Sequence, residues 1–255
     1  DYDMNDINGL SNSDLTFIWS INCLTGKFDE GGEVFAEKFH RYTYNGQNSG
    51  AVGIIAATES SYSFVNDTYV WGAYDHMWRE FMPDYGAEFP TDFIYPAYAN
   101  VAGKYFLEAS SWPSGITDAK PVTYYLFHHH SDAFLNIYSE VPTDLSVDCD
   151  EVIIYGNLNF DVTTDEFAHM AITYWDENEE EVIIYGTAIS SGGTTTMTLT
   201  DLPNPGSQVL LTVTKQNKFR YTKVLDVITP SGPYVVKDDI AIDDSQGNGN
   251  GEADY

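Results

Sequence analysis

Basic side chains are scarce in this sequence. Eleven Lys and Arg stand against 39 Asp and Glu in 255 residues, a formal net charge of −28. Binding nucleic acid by phosphate neutralisation needs Lys and Arg, so nucleic acid is excluded as a partner, and an anionic bilayer surface repels such a chain. Long apolar runs are missing as well. No stretch approaches the ~18 uninterrupted apolar residues of a spanning helix, which excludes membrane insertion. Two cysteines, Cys23 and Cys149, are too few for a disulfide scaffold. No Gly-rich loop has the spacing that cradles phosphates.

What is present argues for folded structure. Hydrophobic residues make up 43% and aromatics 15%, too much apolar surface for wholesale disorder. The length suits two domains. Acid is spread evenly, with nineteen acids and six bases in residues 1–142 and twenty and five in 143–255. Even spread is a solubility feature, not a tail, and points to a secreted or cell-surface protein. The chain opens on Asp1-Tyr2-Asp3 without Met or signal peptide and closes on Glu252-Ala253-Asp254-Tyr255, so a longer precursor is expected.

Residues 1–142 alternate apolar runs with helical patterns. Residues 15–22 and 51–57 read as buried strands. Phe35, Phe39 and Tyr42 recur at helical spacing, with Tyr44-Asn45-Gly46 closing that helix. Asn66 or Asp67 is placed to cap a helix running through Trp71, Met77 and Trp78. Residues 96–108 form another helix with Pro96 at its start, and residues 122–127 return to strand. Strand–helix–strand order predicts a mainly parallel sheet with flanking helices. Residues 143–237 change character, with strands expected at 151–155, 167–174, 181–185, 195–199, 208–214 and 221–227, separated by turn signals. That spacing predicts an antiparallel sandwich of immunoglobulin type. Residues 238–255 are rich in Asp, Asn and Gly and read as a linker or the start of a further module. There Asp244, Gln246, Asn248 and Gly249 loosely match the opening of a calcium loop, the one hint of a structural cation. No other cofactor is expected.

Cys23 falls at the C-terminal end of a predicted strand, before a Gly-containing turn. Open α/β sheets place reactive groups at that edge, where a thiol can be oriented and tuned toward thiolate. The residues alone leave two readings open, a nucleophile or a buried structural cysteine. The run Ser20-Ile21-Asn22-Cys23-Leu24-Thr25-Gly26, followed by Val34-Phe35-Ala36-Glu37-Lys38-Phe39 and then by Gly50-Ala51-Val52-Gly53-Ile54-Ile55-Ala56-Ala57-Thr58, resembles the gingipain family of cysteine peptidases. Residues 126–142 occupy the place of that family's last catalytic-domain strand and its exit into the sandwich. The resemblance covers roughly residues 10–235.

It implies a caspase-like α/β domain in residues 1–142 followed by an immunoglobulin-like domain in 143–237. It also implies a cysteine endopeptidase acting on protein or peptide substrates, with Cys23 as nucleophile and its backbone N–H in the oxyanion hole. The segment Glu59, Ser60, Ser61, Tyr62, Ser63, Phe64, Val65 and Asn66 falls where the family builds part of its substrate pocket. Two departures stand out. The family's general-base His precedes the nucleophile, yet no His lies among residues 1–22, and the family's Gly-Asp-Pro appears as Ser131-Asp132-Ala133. The chain therefore resembles the second part of a catalytic domain, whose N-terminal part, its expected partner, is either a separate chain or a segment lying outside this sequence. The alternative is a catalytically inactive surface binding or adhesion module.

Other candidates read as structural. His40, beside Arg41, and His76 are the local stand-ins for the missing base. Neighbouring strand residues point to opposite faces, so His128-His129-His130 is a poor metal site. Tyr62, Phe64, Tyr69, Trp71, Tyr74 and Trp78 are expected as helix core and pocket wall. The acidic run of residues 176–181 is a solvated turn.

Overall fold

The run Ala51-Val52-Gly53-Ile54-Ile55-Ala56-Ala57 has no polar side chain to offer water, and it becomes the centre of the first sheet. The computed structural model describes residues 3–29, 31–78, 81, 92–114 and 119–231. The chain forms two units. The first comprises Asp1–Asp144 with Lys215–Phe219, and the second Leu145–Thr214 with Arg220–Tyr255. The Asp-, Asn- and Gly-rich stretch 238–255, with its calcium-loop candidates, lies outside the described residues.

In chain order the first unit holds α1 (Met4–Ile7), β1 (Thr16–Ser20), α2 (Phe35–Arg41), β2 (Thr43–Tyr44), β3 (Gln47–Asn48), β4 (Ala51–Ala57), α3 (Ser63–Met77), α4 (Pro96–Ala109), α5 (Ala119–Leu126) and β5 (Phe127–His130). The main sheet has the order β1-β4-β5. β1 and β4 run parallel, with Ile18 opposite Ile54 and Ser20 opposite Ala56, while β5 runs antiparallel to β4. The sheet is thus mixed, where a mainly parallel one was expected. Ile55, Ala57, Val65, Tyr69, Leu107, Leu126 and Phe127 pack into one core on one side. On the other, Ala36 of α2 packs against Ile54 and Ala56.

Two expectations fail here for identifiable reasons. Residues 122–126 are helical, not extended. Val, Thr and Tyr favour strands, but Ala119, Thr123 and Leu126 are buried at helical spacing while Val122 and Tyr125 face solvent; burial on one helix face overrides propensity. Tyr44-Asn45-Gly46 does not simply end a helix: Asn45 and Gly46 are the turn of the β2–β3 hairpin.

α3 and α4 pack closely. An added Cβ at Gly72 would overlap Cβ of Phe106, and one at Gly103 would lie 2.5 Å from the Tyr69 carbonyl oxygen. Tyr69 is fully buried, stacks on Phe127 at 4.5 Å and donates its hydroxyl to Asn100 Oδ1 at 2.6 Å.

The second unit holds β6 (Val147–Cys149), β7 (Val152–Ile154), β8 (Asn159–Thr164), β9 (His169–Asp176), β10 (Glu181–Ile189), β11 (Gly193–Thr198), β12 (Gln208–Thr214) and β13 (Tyr221–Ile228). They form a five-stranded sheet, β10-β9-β12-β13-β7, and a three-stranded one, β11-β8-β6. Phe160, Val162 and Met197 of the smaller sheet join Ile172, Leu211, Val213, Leu225 and Val227 of the larger in a single core. Each fully buried apolar side chain of this kind contributes about 1.5–3 kcal/mol. Two strands, β6 and β8, were not expected. β8 escapes notice because its outward positions, Asn159, Asp161 and Thr163, are polar, while Phe160, Val162 and Thr164 turn inward. The strands are antiparallel except for β7, which pairs parallel to β13. The strand expected from Phe167 begins instead at His169, because Phe167 sits at φ 61° in the preceding turn.

Gly72→Ala gains about 1 kcal/mol of helix propensity. It must also separate two helices whose side chains already touch, which overpacking data put at ~1–3 kcal/mol or more. The expected outcome is a less stable first unit, read as a lower denaturation midpoint with an unchanged denaturant slope.

Candidate functional site

Past Ser20, β1 leaves the sheet in a tight turn. Leu24 takes φ 64°, a left-handed conformation that a branched side chain adopts only when its surroundings enforce it. Three bonds do so. Leu24 N–H donates to Glu59 O at 3.4 Å, Gly26 N–H to Ala57 O at 2.8 Å, and Ala36 N–H to Thr25 O at 2.9 Å. The Ser20 and Thr25 hydroxyls lie 2.8 Å apart, and Thr25 Oγ1 donates to Asn22 O at 3.2 Å. Gly26 is obligatory because a Cβ there would stand 2.9 Å from Cβ of Ala56. The turn presents Cys23 to solvent, which removes the reading of a buried structural cysteine.

Among the described residues, the hydrogen-bond partners of Cys23 Sγ all belong to Ser61. The Ser61 N–H donates to the sulfur at 3.3 Å, the Ser61 hydroxyl is 3.5 Å away, and the thiol reaches Ser61 O at 3.5 Å. Donors to a thiolate favour the charged form. The Ser61 side chain first, then its backbone, lowers the Cys23 pKa below its ordinary value, against a small desolvation by burial. Cys149 is a half-buried free thiol and moves the other way. Burial pushes its pKa up, with Lys223 opposing, whose Nζ lies 3.8 Å from the sulfur.

Of the eight residues 59–66, the fold brings Ser61 to the sulfur and sets Asn66 behind it. Asn66 Nδ2 donates to Ser61 Oγ at 2.7 Å and to Ile21 O at 3.1 Å. Glu59 is exposed and ion-paired to Lys27 at 2.7 Å, which, with the Ser60 N–H, lowers its pKa. Tyr62 precedes α3, Ser63 and Phe64 are exposed on its first turn, and Val65 enters the core. The helix starts at Ser63, so neither Asn66 nor Asp67 caps it; Asn66 is buried inside the first turn. On Cys23's other flank an open cleft of about 680 Å³ runs from the turn to Met4, Glu33 and Phe35.

The remaining candidates stand elsewhere. Neither His40 nor His76 is a hydrogen-bond partner of Cys23 among the described residues. His40 is half-buried and acts electrostatically on His129 and His130. The triplet alternates as a strand must: His129 stacks on Phe17 at 5.8 Å, while His128 and His130 meet Phe28 edge-on. Among the described residues no group of three or more His, Cys, Asp and Glu is placed to hold a metal ion. Asp132 caps its own turn, accepting from Phe134 N–H at 2.8 Å. Of the aromatic cluster only Tyr69 joins the core. Phe64, Trp71, Tyr74 and Trp78 line the exposed face of α3 or its end, correcting the expectation of a helix core. Among the described residues no helix is long and apolar enough to cross a membrane.

Comparison with known proteins bears out the family resemblance. Peptidase family C25 matches residues 1–97, the part that carries Cys23 and Ser61. No curated protein matches the chain. The solved structure of the Arg-specific cysteine proteinase gingipain R is similar with a TM-score of 0.69 and 21% identity, over 88% of this chain and 48% of that one. The complex of Porphyromonas gingivalis RgpB pro- and mature domains gives 0.65 and 21%, over 84% and 46%. A further protease structure gives 0.68 and 17%, over 88% and 49%. The chain thus spans about half the length of these relatives, and it shares their fold, an α/β region followed by a β region.

Two outcomes follow. Because the Cys23 pKa is lowered and that of Cys149 raised, Cys23 should reach its maximal alkylation rate at lower pH and label faster at neutrality, as peptide mapping after iodoacetamide pulses will show. Burial also holds the His129 and His130 pKa values below their ordinary value. The unfolded chain then binds protons first as pH falls below ~6.5, so stability is full above that value and is lost on acidification toward the folded pKa values. Thermal melts should show this loss, and His129→Gln with His130→Gln should flatten it.

Proposed function

With residues 1–97 matched by peptidase family C25, we propose that the chain is the nucleophile-bearing part of a cysteine endopeptidase acting on protein or peptide substrates. The observation that supports this reading is the exposed Cys23 thiol at the end of a parallel strand, held by Ser61 donors that favour thiolate. The thiolate attacks the scissile carbonyl carbon, forming a C–S bond, and the Cys23 N–H receives the developing oxyanion. Collapse breaks the C–N bond as the leaving amine takes a proton from an imidazolium. Water, deprotonated by that imidazole, then hydrolyses the thioester and regenerates the thiolate.

The imidazole comes from polypeptide outside these 255 residues. Supporting that assignment, all hydrogen-bond partners of Cys23 among the described residues lie on Ser61, and the chain spans about half of its solved relatives. The same reading makes the second unit an immunoglobulin-type sandwich, and the evenly spread net charge of −28 supports a secreted or cell-surface setting.

The test is hydrolysis of a broad peptide library by the chain alone and after co-folding with the upstream polypeptide of its precursor, each against Cys23→Ala. Cleavage should require both Cys23 and the upstream polypeptide, with a loss of about 10²–10⁴-fold when the base is withheld. Absence of Cys23-dependent cleavage in the co-folded protein would overturn the reading in favour of an inactive surface binding module.

A further inference from the structure

Asn66 is 4% exposed in the first turn of α3, yet its amide is spent on two groups at the candidate site. Nδ2 donates to Ile21 O at 3.1 Å and to Ser61 Oγ at 2.7 Å. A carbonyl oxygen only accepts, so Ile21 fixes which end of the amide faces the site. Oδ1 is buried without a partner among the described residues. An unpaired acceptor is costly in a core, and a leucine would occupy the same helix position without it. The donors at Nδ2 are what the asparagine adds.

We propose, resting on the reading of Cys23 as nucleophile, that Asn66 is a positioning residue that acts on the thiol through Ser61. By donating into Ser61 Oγ, Asn66 occupies a lone pair of the hydroxyl and leaves its single proton directed at Cys23 Sγ, 3.5 Å away. Ser61 N–H, 3.3 Å from the sulfur, supplies a second donor that does not depend on Asn66. The thiolate is therefore met by two fixed donors, one of them set by a buried amide that also anchors the turn through Ile21. The direction of the Cys23 pKa, with the Ser61 side chain as its largest cause, agrees. Among the described residues, the charged groups on the surrounding segments include the Lys27–Glu59 pair, Asp3 and Glu33 along the cleft, Asp29 in the turn and Asp67 beside Asn66 on α3. All of them stay constant in the experiment.

The pH profile of Cys23 alkylation in the full chain reads this relay directly, with Cys149 in the same molecule as the folding reference. Asn66→Leu should move the midpoint to higher pH and lower the neutral-pH rate by about three- to tenfold, the scale of one ordinary hydrogen bond, since the bond lost runs to the neutral Ser61 hydroxyl. Ser61→Ala should do at least as much, Ser61→Thr should restore most of the rate, and Asn66→Leu in the Ser61→Ala background should add nothing. An unmoved midpoint in Asn66→Leu, or the same shift with Ser61 already removed, overturns the proposal. Should Asn66→Leu fail to fold, Asn66→Ala removes the same donor without bulk and carries the same expectations in both backgrounds. Alkylation needs no peptide turnover. Coupling without cleavage keeps the relay and sinks the peptidase reading, and Cys23-dependent cleavage without coupling does the reverse.

Discussion

The parallel pairing of β1 with β4 brings residues 38 positions apart into one site. Parallel strands end at the same sheet edge, so whatever follows Ser20 must meet whatever follows Ala57. The pairing does not stop at the strand ends. Gly26 N–H reaches Ala57 O and Leu24 N–H reaches Glu59 O, so the two turns are bonded backbone to backbone. Cys23 and Ser61 face each other as a result. Remove the close approach of Gly26 to Ala56, or the left-handed Leu24, and the sulfur would lose its register with the Ser61 amide.

Much of this was legible in the sequence, for a physical reason. The strand 51–57 is so uniformly apolar that it can only be a buried strand, and its observed bounds are those expected. α4 likewise starts at Pro96, because proline's fixed φ and missing N–H suit a first turn. What failed was what depends on partners. Residues 122–126 carry strand-favouring side chains, and only the burial of Ala119, Thr123 and Leu126 on one face makes them helical. Strand direction failed similarly. A β-strand carries no mark of whether its neighbour runs with it or against it, and β5 returns antiparallel on β4.

At the candidate site, the position of Cys23 after an apolar strand and before Gly26 was readable, and so was the segment 59–66. That Ser61, among eight residues, would hold the sulfur was not. One signal was available: Asn66 falls among Val65, Tyr69, Val70 and Ala73 on the buried face of α3, where an amide needs a reason. The exposed aromatics of α3 misled for the opposite reason. Phe64, Trp71, Tyr74 and Trp78 look like core by composition, but Tyr69 and Phe106 already fill the space between α3 and α4, where even a Cβ on Gly72 would not fit.

The solvent exposure of Cys23 has a second chemistry. A sulfur stabilised as thiolate and open to a carbonyl is equally open to peroxide, which converts it to a sulfenic acid that thiol reductants reverse, and then to higher acids that they do not. Cys149, half-buried and with its pKa pushed up by burial, is less open to the same attack. The lifetime of the Cys23 thiol is therefore set by the redox poise around it as much as by the stability of the fold, and the protein can remain folded long after that sulfur has been oxidised.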